Sequence, residues 1–248
     1  MKTLDNVLEE RRYFSRLYPP VPTGFVIPDG QTPLLRWGML TLMAARPGMG
    51  KTTFAVQTAL NVAKRGGAVV FFNLCAPAGC LAERLEETGG GALPSGLPLF
   101  FESRTANARR LEKVLDGPDR PAELVVVDDL QALYMASPGG RARYDAGRIC
   151  RELKLRALRR NTAVLCLSRL SRGPDRRRGH RPRLTDIPKW DAICPWPDPV
   201  CLLCREGYYS GQEDGDVLEF YLARHTDDRV YLAMDRDEKG FVVDRLPY

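Results

Sequence analysis

The sequence predicts an α/β fold with a mostly parallel central β-sheet flanked by helices, and with antiparallel strands at the C-terminal end. From residue 39 to residue 168, short apolar runs alternate with segments of helical periodicity. That alternation is typical of parallel strands joined by crossover helices. After residue 199 the apolar runs follow one another with only turns between them, which favours antiparallel pairing.

The composition is that of a globular protein. The chain has 248 residues, of which 44% are hydrophobic and 27% charged, enough for one large domain or two small ones. No apolar run reaches about 18 residues, so we expect no membrane span. The N-terminus lacks the apolar core of a signal peptide, so we expect a cytoplasmic protein. The net charge of +6 indicates a mild preference for anionic partners such as nucleic acid or nucleotides.

The elements are predicted in chain order. Residues 4–18 have the apolar spacing of an amphipathic helix, which Pro19 and Pro20 end. Glycines at positions 66 and 67 end the first crossover helix. Strands are predicted over 39–45, 68–74, 97–101, 124–128, 162–168, 199–204, 217–223, 229–234 and 240–244, and helices over 51–64, 78–87, 107–115 and 146–160.

The seven cysteines are read as free thiols. Several of them lie in apolar runs, and a reducing compartment keeps such thiols buried and unpaired. Cys201 and Cys204 have the spacing of a zinc-binding pair, and a structural metal is the alternative. No second pair follows, however, and on a strand the two thiols would point to opposite faces.

Residues 45–52 (ARPGMGKT) fit the phosphate-loop pattern G-x-x-x-x-G-K-[ST], except for alanine at its first position. An apolar strand precedes the loop and a helix follows it, which is the context that the motif requires. Glycines let the backbone N–H groups surround anionic oxygens, and the helix directs its positive end towards them. The predicted nucleotide-binding residues of this segment are Arg46, Pro47, Gly48, Met49, Gly50, Lys51, Thr52 and Thr53.

A phosphate loop of this kind needs a carboxylate on the magnesium side, at the tip of a neighbouring strand. Residues 124–127 are apolar and Asp128 follows them directly. We therefore predict that Lys51 reaches the terminal phosphates of a nucleotide, and that Thr52 and Asp128 hold Mg²⁺.

These motifs resemble the C-terminal ATPase domain of the DnaB-type replicative DNA helicases, and the resemblance extends over nearly the whole chain. Residues 21–25 (VPTGF) match the entry segment of that family, and ARPGMGKT is close to its phosphate loop. Residues 128–131 (DDLQ) resemble its D-Y-L-Q, and 149–154 (ICRELK) its helix before the fourth strand. Residues 168–186 keep the spacing of its S-Q-L-S-R, K-R-P and S-D segments.

The resemblance implies a RecA-like phosphate-loop NTPase fold over residues 21–248, preceded by a linker-like helix in residues 1–20. It implies ATP and Mg²⁺ as cofactors, and hydrolysis coupled to movement on single-stranded DNA. The expected assembly is a homo-oligomeric hexameric ring, or a mixed ring with a full-length helicase, with no membrane partner. Whether the N-terminal helix packs on its own domain or on a neighbouring subunit stays open.

The basic loop, residues 172–183, is the candidate DNA contact. It carries six arginines, and a strand of phosphates is an apt partner for such a run. The alternative is a solvated, mobile loop. With the resemblance, the predicted DNA-binding residues are Arg172, Arg177, Arg181 and Lys189.

The sequence departs from the family pattern at the residues that the family uses for ATP hydrolysis. Cys75 takes the place of the glutamate that positions the attacking water, and Arg169 that of the glutamine that senses the γ-phosphate. The family's K-x-R becomes Arg224-His225-Thr226, so the first cation remains as a predicted nucleotide contact while Thr226 replaces the arginine finger. A finger of this kind is worth roughly 10³-fold or more in rate. We therefore expect impaired turnover.

Asp129 is the candidate compensation, because it follows Asp128 where the family has tyrosine. We hypothesise that Asp129 acts as the base in place of the missing glutamate, the alternative being an exposed carboxylate at the strand end. Arg169 could supply positive charge from within the subunit or simply hold ATP. Three functions stay open: a DNA-translocating helicase motor, a non-hydrolysing ATP-binding module that joins or regulates a helicase ring, and a RecA- or RadA-type recombinase.

Overall fold

A computed structural model describes residues 3–25, 33–103, 107, 111, 121–136, 142–211, 217–223, 229–236 and 242–243. Most of the predicted helix 107–115 lies outside this part of the chain. The predicted nucleotide contact Arg224 and the finger position Thr226 also lie outside it.

One large sheet carries the fold. Its six parallel strands are β1 (Leu40–Ala45), β2 (Val69–Asn73), β3 (Leu99–Glu102), β4 (Leu124–Asp128), β7 (Ala163–Arg169) and β8 (Val200–Arg205). The antiparallel strands are β9 (Leu218–Ala223), β10 (Arg229–Arg236) and β11 (Val242–Val243). Across the sheet the order is β3-β2-β4-β7-β1-β8-β9-β10-β11. A separate two-stranded ribbon pairs β5 (Met135–Ala136) with β6 (Ala142–Arg143). The predicted parallel sheet with an antiparallel C-terminal end is confirmed.

Helices flank this sheet. They are α1 (Leu4–Arg12), α2 (Phe14–Leu17), α3 (Lys51–Lys64), α4 (Ala78–Gly89), α5 (Ala146–Arg160), α6 (Trp190–Ile193) and α7 (Glu206–Ser210). The predicted bounds of α3 and α5 are confirmed, and the strands lie within two residues of their predicted ends. No helix among the described residues combines the length and the apolar character that a bilayer span needs.

Both faces of the sheet are buried, which explains why its central strands are apolar at almost every position. One face packs with α3 and includes Met43, Phe71 and Cys201. The opposite face packs with α5 and includes Phe72 and Cys204. The thiols of Cys201 and Cys204 therefore lie in different cores on opposite sides of β8, as the alternation of a strand predicts.

The prediction of one helix over residues 4–18 is wrong at Tyr13, where a turn separates α1 from α2. Leu4 is 73% exposed, Leu8 48% and Leu17 45%, so the chain's own domain does not bury these three side chains. Helices this short are marginal without a packing partner.

Candidate nucleotide site

Four parallel strands bring their carboxyl ends to one edge of the sheet, where ligands bind in open α/β folds. Ala45 at the end of β1 is in register with Arg169 at the end of β7. Asn73 at the end of β2 is in register with Asp128 at the end of β4. Between these ends and the start of α3 lies a cleft of about 730 Å³.

The phosphate loop forms one wall of this cleft. Gly48 and Gly50 adopt φ of +80° and +89°, which glycine reaches without a steric penalty. A Cβ at Gly48 would also stand 3.0 Å from the Tyr208 ring, so a larger residue there would push that ring back by a few tenths of an ångström. Met49 is buried and anchors the loop in the core. Helix α3 begins directly at Lys51, and its positive end faces the cleft.

Lys51 is buried within the loop, with 8% of its surface exposed. Its Nζ donates to the carbonyl oxygens of Ala45 at 3.0 Å and Arg46 at 3.1 Å, which takes two of the three ammonium donors. Burial lowers the pKa of Lys51 to about 8, against the opposing effect of Asp128 and Asp129. The loop therefore holds a partly desolvated cation at the cleft, a favourable environment for phosphate oxygens.

Thr52 and Asp128 meet as the sequence predicts. The Thr52 hydroxyl donates to Asp128 Oδ2 at 2.7 Å. Burial raises the pKa of Asp128, although the Thr52 bond works in the other direction. A hydroxyl and a carboxylate are the hard oxygen ligands that Mg²⁺ prefers. The donor set therefore fits the predicted ion.

Cys75 lies at the opposite wall, in the turn after β2. Asn73 fixes this turn, because its side-chain amide donates to Ala76 O at 2.9 Å, and Leu74 N ties the turn to Asp128 O at 2.8 Å. Burial raises the pKa of the Cys75 thiol. A protonated thiol carries no charge to attract a proton from water, so Cys75 is a poor general base.

Asp129 is buried, with 4% of its surface exposed, so the alternative of an exposed strand-end carboxylate is wrong. Its Oδ1 accepts from Ala132 N at 3.1 Å, and its Oδ2 from Arg169 Nε at 2.5 Å. Arg169 also reaches Cys75, with 3.8 Å between a terminal guanidinium nitrogen and Sγ. The three departures from the family pattern, at positions 75, 129 and 169, therefore form one connected group.

The basic loop divides into exposed and internally bound arginines. Arg172 and Arg181 are exposed. Arg177 instead forms an ion pair with Asp186 and donates to Arg181 O at 2.6 Å, so its guanidinium holds the loop together. Lys189 is also exposed, directly before the start of α6. The geometry of Arg172 and Arg181 therefore suits a DNA contact better than that of Arg177.

A chain of contacts links the phosphate loop to the basic loop. Arg46 forms an ion pair with Asp175 at 2.8 Å, and the hydrogen bond from Arg46 lowers the pKa of that carboxyl. Tyr209 donates to the same carboxylate at 3.0 Å, and its ring stacks on His180 with centroids 3.9 Å apart. These contacts therefore join the two loops directly.

Sequence reasoning missed several residues of the cleft. Cys80 and Arg84 line it from α4, and their spacing of four places them on one helical face, a pattern the sequence offered. Arg205 donates to Gly48 O at 2.8 Å, and Tyr208 covers the same glycine. Nothing local in the sequence indicates these last two contacts, because they join segments about 157 residues apart.

The arrangement matches one known family. The model of the DnaB-like helicase C-terminal domain matches residues 20–89 and 100–237, which is most of the chain. The chain belongs to this family. Membership confirms the resemblance seen in the motifs, and it gives no support to the recombinase alternative.

Curated relatives agree with this assignment of the DnaB-like domain. The chain is 29% identical over 260 residues to the replicative DNA helicase DnaC of Bacillus subtilis (strain 168), and the match covers 90% of this chain and 56% of that protein. It is 28% identical over 240 residues to a probable plasmid replicative DNA helicase of Chlamydia psittaci, covering 85% and 52%. The chain thus spans about half the length of these relatives.

Solved structures show the same fold. A DnaB-like replicative helicase, described together with its interactions with primase, superposes with a TM-score of 0.77 at 23% identity, covering 99% of this chain and 68% of that one. A separately solved ATPase domain gives 0.78 at 22% identity, with 99% and 100% covered. The fold of this DnaB-like domain is therefore RecA-like, as the sequence predicts.

Proposed function

We propose that this chain binds Mg-ATP and couples its hydrolysis to movement on single-stranded DNA in replication, with slow turnover. The observation that carries the proposal is the Thr52–Asp128 hydrogen bond of 2.7 Å beside the buried Lys51. A lysine, a hydroxyl and a carboxylate at the mouth of a glycine-rich loop are the groups that hold a metal-bound triphosphate.

Each group of the site has a role in this proposal. The backbone N–H groups of the loop and the Lys51 ammonium bind the phosphates, while the Arg46 side chain stays paired with Asp175. Thr52 and Asp128 are the ligands for Mg²⁺, which supplies charge neutralisation on the phosphate oxygens. Arg224 stays a proposed nucleotide contact from the segment after β9.

Slow turnover follows from the groups that face the attacking side. The thiol of Cys75 stays protonated at neutral pH, so it cannot accept a proton from the attacking water there. Asp129 is the remaining candidate base, and in the described state Arg169 occupies its Oδ2. Hydrolysis by this route requires that pair to open first.

Assembly and DNA binding are part of the same proposal. From its membership in the DnaB-like family, we propose a homo-oligomeric hexameric ring, or a mixed ring with a full-length helicase, acting in the cytoplasm. The exposed leucines of α1 and α2 suit packing on a neighbouring subunit. The exposed arginines of the basic loop suit the phosphates of single-stranded DNA.

A second candidate function is a non-hydrolysing ATP-binding module that joins or regulates a helicase ring. Two observations favour it: the uncharged thiol of Cys75 and the engagement of both Asp129 oxygens. Both candidates require nucleotide binding, and they differ only in turnover.

Turnover with and without DNA separates these two functions. We expect ATP hydrolysis by the purified chain to be slow and to rise several-fold when a single-stranded oligonucleotide is added, because the basic loop contacts the phosphate loop through Arg46 and Asp175. Release of labelled phosphate is the measurement, with double-stranded DNA as the control. Tight ATP binding without any hydrolysis, with or without oligonucleotide, would favour the non-hydrolysing module instead.

A separate prediction concerns the exposed arginines of the basic loop and the salt dependence of DNA binding. Changing both Arg172 and Arg181 to glutamine removes two phosphate contacts, so the salt slope of oligonucleotide binding should fall by about 1.4. Fluorescence anisotropy between low and moderate salt measures this slope. The double variant Arg148→Gln/Arg159→Gln, which removes two exposed arginines of α5, is the matched control. Equal slopes for the two double variants would mean that the basic loop is merely solvated.

A further inference from the structure

Three side chains with metal-binding donors converge on the cleft. Cys75 offers its sulfur, and Asp128 and Asp129 each offer a carboxylate oxygen, with the three donor atoms within 4.8 Å of one another. The sheet brings them together, because Asn73 at the end of β2 is in register with Asp128 at the end of β4. Metal bonds of about 2.0 to 2.3 Å bridge donors at this spacing after small side-chain rotations.

The two carboxylates of this cluster are buried side by side, which is costly unless positive charge balances them. The Thr52 hydroxyl donates to Asp128 Oδ2 at 2.7 Å. Among the residues that the structure describes, none donates to the other oxygen, Oδ1. A carboxylate has about four lone-pair sites, so Asp128 keeps unused acceptor capacity where it lines the cleft. This capacity suits a cation.

The sulfur of Cys75 decides which cation suits the cluster. Mg²⁺ takes oxygen ligands, whereas a thiolate favours softer ions such as Zn²⁺. Cys75 is exposed, so an ion reaches its sulfur from the cleft. Three protein ligands leave the fourth position of a tetrahedral zinc ion open for water. The donor set therefore fits Zn²⁺ better than Mg²⁺.

Arg169 lies beside two of the three donors. Its Nε donates to Asp129 Oδ2 at 2.5 Å, and a terminal nitrogen lies 3.8 Å from the Cys75 sulfur. Metal binding exchanges the S–H bond for an S–metal bond and releases the proton to water, with no electron transferred. The thiolate and two carboxylates then carry three negative charges, which balance a divalent ion with Arg169 still in place. Outer contacts of this kind orient metal ligands.

We propose that Cys75, Asp128 and Asp129 form a binding site for a thiophilic divalent ion of the Zn²⁺ class, and that this ion binds without nucleotide. The site shares only Asp128 with the magnesium ligands proposed above, Thr52 and Asp128. All three donors belong to the chain itself. The inference therefore does not depend on the proposed function.

Titration of the purified, reduced and nucleotide-free chain with Co²⁺ tests this site. Co²⁺ takes the place of Zn²⁺, and a sulfur ligand gives it a charge-transfer band in the near ultraviolet. We expect this band to saturate at a single equivalent of Co²⁺. Added Zn²⁺ should remove the band, whereas Mg²⁺ in large excess should leave it, because Mg²⁺ does not favour sulfur.

Variants of two cysteines assign the sulfur ligand. Cys75→Ser should abolish the band, while Cys80→Ser, which changes another exposed thiol of the cleft, should keep it. Cys75→His exchanges sulfur for nitrogen, which is also a zinc ligand. It should lose the band and still take Zn²⁺ from a chromogenic chelator. Should Cys75→Ser melt below the assay temperature, Cys75→His still assigns the sulfur.

A carboxylate variant tests the oxygen ligands. Asp129→Asn should keep the sulfur band but weaken Co²⁺ binding about tenfold or more, at least the loss that follows when an outer contact of a metal site is removed. Glu86→Gln removes an exposed carboxylate of α4 and is the matched control, with Co²⁺ affinity within twofold of the parent.

Four results would overturn the inference. A parent chain without the sulfur band at millimolar Co²⁺ has no such site. A band that survives in Cys75→Ser, or is lost in Cys80→Ser, places the ion at another thiol. Equal affinities for Asp129→Asn and Glu86→Gln remove the carboxylate from the site. Displacement of Co²⁺ by an equal concentration of Mg²⁺ marks a site made of oxygen ligands. None of these results bears on Mg-ATP binding, so the proposed function is tested separately.

Discussion

Replacing Lys51 with alanine is expected to weaken the binding of Mg-ATP by about 100-fold. The ammonium is buried and donates only to loop carbonyls among the described residues, so its remaining capacity is directed to a ligand. The variant loses the attraction of the buried ammonium charge for the phosphates and the one charge-assisted hydrogen bond that its third donor can make. Titration with a fluorescent ATP analogue measures the change. Thermal stability should stay level or rise, because burying an ammonium is itself costly.

Lys64→Ala is the matched control for this variant. Lys64 ends the same helix, is exposed, and lies at the far end from the phosphate loop. Its removal changes the net charge by the same amount and should leave ATP affinity within twofold of the parent. Equal affinities for Lys51→Ala and Lys64→Ala would place the nucleotide elsewhere.

Restoring a glutamate at Cys75 is expected to raise the rate of ATP hydrolysis about 10- to 100-fold, at or below the lower limit of about 100-fold that is typical of general base catalysis. The thiol has a raised pKa and cannot accept a proton from water, whereas a carboxylate can. The gain is limited because Arg169 lies 3.8 Å from the Cys75 sulfur and would pair with the new carboxylate for part of the time. Phosphate release at saturating Mg-ATP is the measurement.

Cys75→Gln separates charge from size in this experiment. The amide has the shape of glutamate without its basicity, so it should hydrolyse ATP no faster than the parent chain. A rate for Cys75→Glu equal to that of the parent would mean that water activation already has another base. Asp129 is then the candidate, and Asp129→Ala should abolish the residual rate.

Local signals in the sequence account for the sheet and for the core of the site. The strand that ends in Asp128, the loop at 45–52 and the helix from Lys51 each follow from hydrophobic runs and motif spacing. Parallel strands then bring their carboxyl ends together, so the meeting of Thr52 with Asp128 could be predicted before any coordinates.

The remaining features depend on packing between distant segments. The pair of Asp129 and Arg169 joins two strand ends across 40 residues, and the burial of Asp129 rules out the alternative of an exposed carboxylate. The pair of Arg46 and Asp175 spans 129 residues, and only the fold brings those loops together. The break in the N-terminal helix at Tyr13 was missed for another reason. The periodicity of a sequence does not show whether a short helix packs against another part of the protein.

Binding of a metal-bound triphosphate in the cleft of this chain is the central claim. Direct binding of Mg-ATP to the purified parent protein tests it. Equilibrium dialysis with labelled ATP should give saturable binding at micromolar concentrations that weakens when magnesium is chelated and is displaced by ADP but not by AMP. Absence of saturable binding at millimolar ATP or GTP, in the presence of magnesium and with the protein folded, would contradict the account.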